Sequence, residues 1–359
     1  VVDLNKPDNK VVIDNNVLEN DFFVLKIDDF GRIVSLFDKR YNREVFKNNE
    51  LANEIQIFED TPVFYDNWEI SEYYEAKCKT LTQPAKITCI DEGCRKGFEI
   101  IHQYHNSSLK QRIFLYDNLE RVDVENVFDW NEHNQIVKIA FPVNVHSNKA
   151  VYDIQFGNVE RNTHKNTSWD EAKFEVCGQK WVDISEYNYG VSLINDCKYG
   201  FNVADGVLKL TALKSGTWPN ENADQGLHEF NYAIFPHKND FRVGKTVKEA
   251  YSFNQPLQVV KVNNDKAGKL PELFSFVSTQ NDNIVIETIK LCEDSNEVIV
   301  RLYDAFNSKT NVKLDFGLDV KQAFISDLME NSLEEVDIIN NSIEFKVNNY
   351  EIVTLKLKF

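Results

Sequence analysis

Residues 151–185 read VYDIQFGNVERNTHKNTSWDEAKFEVCGQKWVDIS, and strand-like runs stand at both ends of this stretch. Tyr152, Ile154 and Phe156 occupy alternate positions, which places them on one face of an extended chain. Gly157 ends the first run, and apolar spacing resumes at Phe174. The pattern predicts two strands that are joined by a long polar segment.

The polar segment gathers residue types that are common in binding and catalytic sites. It contains Glu160, Arg161, His164, Trp169 and Asp170. Loops between strands are where functional sites usually lie, so we expect a site here. Residues 167–173 are the best helical candidate, with Ser168 and Glu171 as a capping box.

The same stretch resembles the signature of the C-terminal region of family 38 α-mannosidases of class II. YDIQFGNVERNTHKNTSWDEAKFEV is most similar to the cytosolic type, although Asn162 stands where that family usually has proline. The segments NEIQIFEDTPVFYDNWEI, GVSLINDCKYG, DQGLHEFNYAIFPH and YEIVTLKL also resemble the family. They lie between Asn53 and Leu357, so the resemblance covers most of the chain.

Many short strand candidates and few helical ones predict an all-β fold. The candidates in the first two thirds of the chain are a hairpin at 23–37 and the segments 55–68, 85–90, 97–105, 108–116, 121–130, 136–145, 190–194, 207–213 and 228–235. The family resemblance is more specific. It implies a large galactose-mutarotase-like supersandwich followed by a smaller antiparallel β-sandwich.

The composition changes near residues 255–269, where a polar stretch with two prolines and one glycine follows the strand candidates. Such a stretch suits a connection between domains. Clean alternation follows it, as at Ile343, Phe345 and Val347. We therefore predict three parts. Residues 1–16 are the end of a preceding domain or a linker, 17–256 the β-supersandwich, and 257–359 the small C-terminal β-sandwich.

The 359-residue chain has a formal net charge of -17, which is unfavourable for binding to nucleic acid or to an anionic membrane. A neutral sugar is a compatible ligand, and a homo-oligomer is a compatible assembly. The chain begins with Val1, and Met329 is its one methionine. We therefore expect a part of a longer protein.

Six cysteines are scattered along the chain without a CxxC pair. They are Cys78, Cys89, Cys94, Cys177, Cys197 and Cys292. A zinc site of the usual spacing would need a second pair or nearby histidines. The scatter, together with the absence of a signal-peptide pattern, predicts unbridged, buried thiols in a reducing compartment and hence a cytoplasmic location.

The resemblance also indicates where the catalytic residues of such an enzyme should lie. Family 38 enzymes retain the configuration of the sugar and use an aspartate nucleophile and a zinc ion, whose motif begins His-x-Asp in an N-terminal barrel. His-x-Asp does not occur in this chain. We therefore assign no catalytic residue and no metal ligand here. We expect the zinc and the nucleophile in an N-terminal catalytic barrel, which would be this chain's partner together with mannosides.

The first candidate site is a sugar cleft formed by Arg161, His164 and Trp169 where the chain would face the barrel. Tryptophan faces stack on pyranose rings, and the guanidinium donates hydrogen bonds to hydroxyl groups. The alternative is structural. Arg161 would pair with Glu160 or Asp170, and Trp169 would fill the core.

Other cleft candidates are Tyr152, Asp153, Asp66, Trp68, Asp224 and His228. Gly226 allows a positive φ that would bring Asp224 and His228 to one point. The alternative at this position is a loop-closing Asx turn with a hydrogen-bonded histidine. Trp68 could equally belong to the core, and the same two interpretations apply to Tyr152 and Asp153.

The function that the sequence favours is the C-terminal, non-nucleophile portion of an enzyme that hydrolyses terminal α-linked mannose with retention. It would support the barrel and line part of the sugar cleft. One alternative is a carbohydrate-binding module without chemistry of its own. Another is a mutarotase-like aldose epimerase, with His102 as the acid and Glu99 or Glu125 as the base.

Overall fold

The structure is a computed structural model that describes residues 11–261 and 271–359, which divide into two compact units. The first unit comprises the described residues up to Asp153 together with Val159–Gln255. The second comprises Ile154–Asn158 and the described residues from Pro256 onward. Residues 1–10 of the predicted leading part and 262–269 of the predicted connection lie outside the described residues.

The first unit opens with a five-stranded antiparallel meander. Its strands are β1 (Val12–Asp14), β2 (Val17–Glu19), β3 (Phe23–Ile27), β4 (Ile33–Asp38) and β5 (Arg43–Glu44). The hairpin predicted at 23–37 is confirmed, and Gly31 in its turn has a φ of 71°. Because β1 pairs with β2 and Val11 is buried, the first unit starts before the predicted boundary at residue 17.

Two larger sheets account for most of the remaining strands of this unit. The strands of the nine-stranded sheet are β8 (Lys86–Asp91), β9 (Arg95–Tyr104), β10 (Ser107–Tyr116), β11 (Val122–Trp130), β13 (Lys149–Ile154), β14 (Gly157–Asn162), β16 (Trp181–Ser185), β17 (Tyr189–Asn195) and β20 (Gly226–Lys238). Those of the six-stranded sheet are β6 (Glu54–Glu59), β7 (Cys78–Thr80), β12 (Gln135–Pro142), β15 (Val176–Cys177), β18 (Gly200–Ala204) and β19 (Val207–Ser215). The orders are β14-β13-β16-β17-β20-β11-β10-β9-β8 and β15-β18-β19-β12-β6-β7.

The period-two pattern of β12 shows how these sheets bury their inner faces. Val137, Ile139 and Phe141 belong to one continuous core that all three sheets of the unit share. Lys138 points to the other face of the sheet, where it pairs with Glu175 at 2.8 Å. β12 ends at Pro142, because proline cannot donate to the strand ladder.

Two α-helices interrupt the strands of the first unit. The helix predicted at 167–173 is α1 (Ser168–Glu171), but its cap differs from the prediction. The Oγ1 atom of Thr167 accepts the Asp170 amide and donates to the Asp170 carboxylate, so Thr167 and Asp170 replace Ser168 and Glu171 as the capping pair. The sequence analysis missed α2 (Thr246–Asn254), which has no side-chain cap at its start.

The described part of the second unit contains two antiparallel sheets that pack on a separate core. Their strands are β21 (Val277–Ser278), β22 (Ile284–Leu291), β23 (Val298–Asp304), β24 (Thr310–Phe316), β25 (Gln322–Ser326), β26 (Ser332–Glu335), β27 (Ile338–Ile339), β28 (Ser342–Val347) and β29 (Ile352–Lys358). The orders are β21-β24-β28-β27 and β22-β23-β29-β25-β26. Leu302 and Leu314, one from each sheet, are fully buried in the core between the sheets, which is a β-sandwich.

The cysteines correct one prediction. All six are free, but only Cys292 is buried, so the expectation of buried thiols is wrong for the other five. Cys89, for example, lies on an exposed position of β8 at the edge of its sheet. Among the residues described, no helix combines the length and the apolar character that a membrane span requires.

Candidate functional site: two adjoining loops of the first unit

The polar segment predicted as a site lies in the Arg161 loop, which we define as residues 159–177. It leaves β14, passes through α1 and ends in β15. Arg161, His164 and Asp170 line a cavity of about 30 Å³. That volume holds one or two water molecules rather than a sugar ring. Thr163 and His164 of the same loop also line a larger cavity, of about 320 Å³.

Arg161 is held from two sides. Its guanidinium carbon lies 4.4 Å from the centre of the Tyr152 ring, and Nη1 donates to the Cys177 carbonyl at 2.8 Å. Partial burial lowers the pKa of Arg161, but the group stays charged at neutral pH. Glu160 pairs with Lys149 at 2.7 Å rather than with the guanidinium. The pairing that the structural alternative required is therefore not formed by Glu160.

Asp170 is engaged elsewhere in the same loop. Its carboxylate accepts hydrogen bonds from Thr167 at 2.8 Å and from Asn162 at 3.2 Å, and His164 Nδ1 lies 3.8 Å from it. The hydrogen bond from Thr167 is the main cause that lowers the pKa of Asp170. The Asn162 side chain, at the position where the family usually has proline, thus ties the loop to its helical turn.

Trp169 is 81% exposed, so the alternative that it fills the core is wrong. Tyr152 and Asp153 lie below the loop instead, where both are buried. Asp153 accepts the Lys180 amide at 2.9 Å, and the Lys180 ammonium is 3.7 Å away. Burial raises the pKa of Asp153 to about 6 against the opposing effect of Lys180. These two predicted cleft residues therefore support the loop from beneath.

The second candidate region is the Trp68 loop, which we define as residues 60–77. Asp66 is only 8% exposed, and its carboxylate accepts four hydrogen bonds. The donors are the amide and hydroxyl of Thr217 at 2.8 Å each, the Trp218 amide at 2.6 Å and the Asn134 side chain at 2.9 Å. Burial by itself would raise the pKa of Asp66, but these donors outweigh it and the pKa is lowered. Asp66 therefore clamps two loops together, and its oxygens are not free for a ligand.

The clamp depends on a close approach of two backbones. A Cβ atom at Gly216 would lie 2.7 Å from the Asp66 carbonyl oxygen, so a larger residue there would push the segments apart. The Asn67 amide donates to the Trp218 carbonyl at 3.1 Å and completes the contact. The far end of the loop is anchored by Tyr74, which packs edge-on against Phe58.

Trp68 is 70% exposed and does not belong to the core, which overturns the structural alternative for this residue. Its ring stacks on Tyr65 with 5.6 Å between the ring centres. Tyr65 also contacts Trp218, at 4.7 Å. Tyr65 and Trp218 were not among the predicted site residues. Trp218 is distant in sequence, and no spacing rule connects it to residues 65–68.

The two loops adjoin each other on the first unit. Lys165 of the Arg161 loop donates to Glu75 of the Trp68 loop at 3.1 Å, and Lys209 reaches the same carboxylate at 3.4 Å. Predicted cleft residues from two distant segments thus lie on connected loops.

Asp224 and His228 meet, but not through their side chains. Asp224 has a φ of 52° and Gly226 a φ of 98°, and the turn brings His228 Nε2 within 3.0 Å of the Asp224 carbonyl oxygen. The Asp224 carboxylate accepts the Lys214 amide at 2.9 Å. The hydrogen-bonded histidine of the structural alternative is present, but the Asp224 carboxylate bonds to a residue ten positions earlier instead of closing an Asx turn. The turn also adjoins the Trp68 loop, because the Lys214 ammonium contacts the Asp66 carbonyl and the Asp60 carboxylate.

The epimerase alternative needs an acid and a base that converge on one point. His102 is buried, and Glu99 stands three residues before it on β9, which puts the two side chains on opposite faces of the sheet. Glu99 pairs with Arg112, and Glu125 pairs with Arg95. Burial lowers the pKa of His102. The arrangement does not supply the acid–base pair that this alternative requires.

Within residues 11–261 and 271–359, no three His, Cys, Asp or Glu side chains come together in a group that could hold a metal ion.

Comparison with known proteins identifies the family. Residues 18–222 match the glycosyl hydrolases family 38 C-terminal domain, and residues 283–355 match the family 38 C-terminal beta sandwich domain. The chain is 35% identical to alpha-mannosidase G of Dictyostelium discoideum, over 95% of this chain and 32% of that protein. It is 32% identical to alpha-mannosidase 2C1 of Homo sapiens, over 98% of this chain and 34% of that protein. The chain thus spans about a third of the length of these curated relatives.

The fold agrees with a solved structure. An alpha-mannosidase from Enterococcus faecalis V583 superposes with a TM-score of 0.79 over 96% of this chain and 42% of that one, at 15% sequence identity. The predicted fold class is confirmed in its architecture: the described chain is all-β, with a large multi-sheet β unit followed in sequence by a smaller antiparallel β-sandwich. The chain belongs to glycosyl hydrolase family 38 and carries that family's C-terminal domain followed by its C-terminal β-sandwich domain.

Proposed function

We propose that this chain is the C-terminal, non-nucleophile part of an α-mannosidase that hydrolyses terminal α-linked mannose with retention of configuration. Family membership supports this, as do relatives that are named alpha-mannosidases and are about three times as long. We assign the nucleophile and the zinc site to an N-terminal catalytic barrel, which is this chain's partner. The location we propose is the cytoplasm, because the resemblance is to the cytosolic type of the family.

The Arg161 loop is the part of the chain that we propose to line the sugar cleft. The observation that carries this is an oriented guanidinium and an exposed tryptophan on the same loop. Arg161 has five N–H donors and gives one bond to Cys177, which leaves donors for sugar hydroxyls. Trp169 offers the exposed ring face on which a pyranose stacks. Tyr152 and Asp153 support this surface from the strand below.

The test is Arg161→Ala in the full-length enzyme. Loss of a charge-assisted hydrogen bond to the substrate is worth about 1.5–3 kcal/mol, so kcat/KM should fall roughly ten- to a hundredfold with an aryl α-mannoside. Lys149→Ala is the matched control, because it removes a cation that pairs only with the exposed Glu160. Normal kinetics with a lowered melting temperature in Arg161→Ala would show that the residue only holds the loop, and would defeat the cleft assignment.

A further inference from the structure

Three aromatic side chains form a cluster on the surface of the first unit. The Tyr65 ring contacts the rings of Trp68 and Trp218, and all three side chains are exposed, Trp218 by 54%. Two other tryptophan rings of this chain are buried instead. Trp130 and Trp181 are at most 1% exposed. We call the three exposed rings the aromatic platform.

The platform is rigid, although it lies in loops. The four hydrogen bonds of Asp66 fix the backbone at Thr217 and Trp218, and Asp66 itself directly follows Tyr65 in sequence. Tyr65 has a φ of 52°, a conformation that bulky residues rarely adopt. Unfavourable backbone conformations that the surrounding contacts maintain are concentrated at binding sites. A surface that is ordered before binding also loses less entropy when the ligand arrives.

A cavity of about 280 Å³ lies beside the platform. It is lined by Pro62, Val63, Phe64, Tyr65, Asp66 and Trp218. Its volume is close to the lower end of the range for small-molecule sites, roughly 300–1,000 Å³. Thr163 and His164 of the Arg161 loop line a cavity of similar volume, about 320 Å³, so cavity volume does not distinguish the two places. The platform is distinguished by its cluster of exposed rings.

We propose that the aromatic platform is a sugar-binding subsite, at which one pyranose ring of a mannoside stacks on Trp68, Tyr65 and Trp218. The C–H face of a pyranose is apolar and flat, which suits exposed ring faces and apolar cavity walls. An anionic ligand is disfavoured by the net charge of -17. The ligand class rests on the proposed function, but the site itself is separate from the Arg161 loop.

The experiment is a ligand-observed NMR titration of this chain with α-linked mannotriose. Four single variants are compared with the wild type: Trp68→Ala, Trp218→Ala, Trp169→Ala and Tyr187→Ala. We expect Trp68→Ala and Trp218→Ala each to weaken binding about five- to tenfold, which is the usual loss for one stacked ring. Tyr187 is 97% exposed and stands outside both loops, so its variant is the matched control and should bind as the wild type does.

Several results would overturn the platform. If Trp169→Ala alone weakens binding, the sugar binds at the Arg161 loop, and the proposed function stands without the platform. If mannotriose does not bind to the wild type, or binds equally to all four variants, the assignment is wrong, while the kinetics of Arg161→Ala still test the function. Self-association that Trp68→Ala abolishes, without a response to sugar, would show that the rings form a contact between protein copies. Thermal melts of each variant exclude misfolding as the cause.

Discussion

Asp66 and Asp153 are both buried aspartates that support a candidate loop, yet their environments shift the pKa in opposite directions. Asp66 is 8% exposed and accepts four hydrogen bonds, and its pKa is lowered. Asp153 is 3% exposed, accepts the Lys180 amide and lies 3.7 Å from the ammonium of the same residue. Burial raises its pKa to about 6.

Two differences produce the opposite shifts: Asp153 is enclosed more deeply by the protein than Asp66, and more donors reach Asp66. Desolvation disfavours the ionised form in both cases, and the number and placement of donors determine whether that penalty is overcome. Four donors converge on Asp66, so the ionised form is the stable one, and the residue works as a clamp. Fewer donors reach Asp153, so its negative charge is retained at a cost when the protein is at neutral pH.

Of the substitutions considered, Asp66→Ala is expected to lower the free energy of unfolding most. The change removes the acceptor of the partly buried amides of Thr217 and Trp218, and the cost of each lies near the lower end of the range of about 1–3 kcal/mol for a buried unpaired group. We expect the free energy of unfolding of the first unit to fall by about 3 kcal/mol. Urea denaturation followed by tryptophan fluorescence measures this. All five tryptophans of the chain lie in the first unit, so the signal reports on that unit alone.

Asp66→Asn is the matched control, since it keeps the size of the side chain and one acceptor oxygen. We expect it to lose about half as much stability as the alanine variant. The clamp would be disproved by a loss below about 1 kcal/mol in Asp66→Ala, because surface substitutions typically stay within about 0.5 kcal/mol.

The next effect in size is a dependence of stability on pH that Asp153 causes. Its folded-state pKa of about 6 lies above the ordinary value of 3.8, so between these values the folded state binds more protons than the unfolded state. The contribution of the Asp153 carboxyl group to the stability of the folded state is therefore fully present below about pH 4, and it is lost as the pH rises through 6. Two pKa units at about 1.4 kcal/mol each give a loss of about 3 kcal/mol as an upper value. Asp153→Asn removes the titration, and the stability of the wild type relative to this variant should fall by about 2–3 kcal/mol between pH 4 and pH 7.

The two asparagine variants test the comparison directly. The lowered pKa of Asp66 means that its stabilisation is fully present above about pH 4 and is lost only as the pH falls further. From pH 5 to pH 7, the stability difference between the wild type and Asp66→Asn should therefore stay constant, while that for Asp153→Asn changes. Equal slopes for the two variants over this range would refute the assignment of opposite pKa shifts.

The fold followed from the sequence to a large extent because strand periodicity is a local signal. The segments predicted at 97–105, 108–116 and 207–213 are β9, β10 and β19 within a few residues. The helix α2 gives no such signal. Its buried positions are Thr246, Val247 and Ala250, and Lys245 before it adopts a left-handed conformation without a side-chain cap. The packing of these residues, rather than a pattern that can be read along the chain, stabilises the helix.

The candidate site followed only in part. The residue types that the sequence singled out, such as Arg161, Trp169 and Trp68, lie on exposed, connected loops. The partners did not follow, because they come from distant segments. The donors to Asp66 are contributed by residues 134, 217 and 218, and no spacing in the sequence indicates that these meet. The roles of Asp66, Asp153 and Tyr152 as supports became visible only with their burial.

The core of the first unit also contains a network of buried polar side chains that the sequence does not reveal. Gln111 donates to Asn126 and to Tyr232 at 2.9 Å each, and Asn53 donates to Gln111 at 3.1 Å, all of them buried. An isolated polar residue within a strand pattern is normally predicted to face solvent. Here these polar side chains satisfy one another inside the first unit, which the sequence alone does not predict.

The smallest effect concerns the cap of α1 and the difference between Thr167 and Ser168. The structure gives the capping role to Thr167, whereas the sequence pattern pointed to Ser168. Replacing an N-cap by alanine costs about 1 kcal/mol of helix stability. Because α1 is a single exposed turn, this cost should appear as local opening and not as a change in global unfolding. Hydrogen exchange at the Asp170 amide, which donates to Thr167 at 3.1 Å, should become about fivefold faster in Thr167→Ala. Ser168→Ala differs by one position and should leave that exchange rate unchanged. The reverse result would restore the sequence-based cap and would mean that the turn beside Trp169 is oriented by contacts other than those between Thr167 and Asp170.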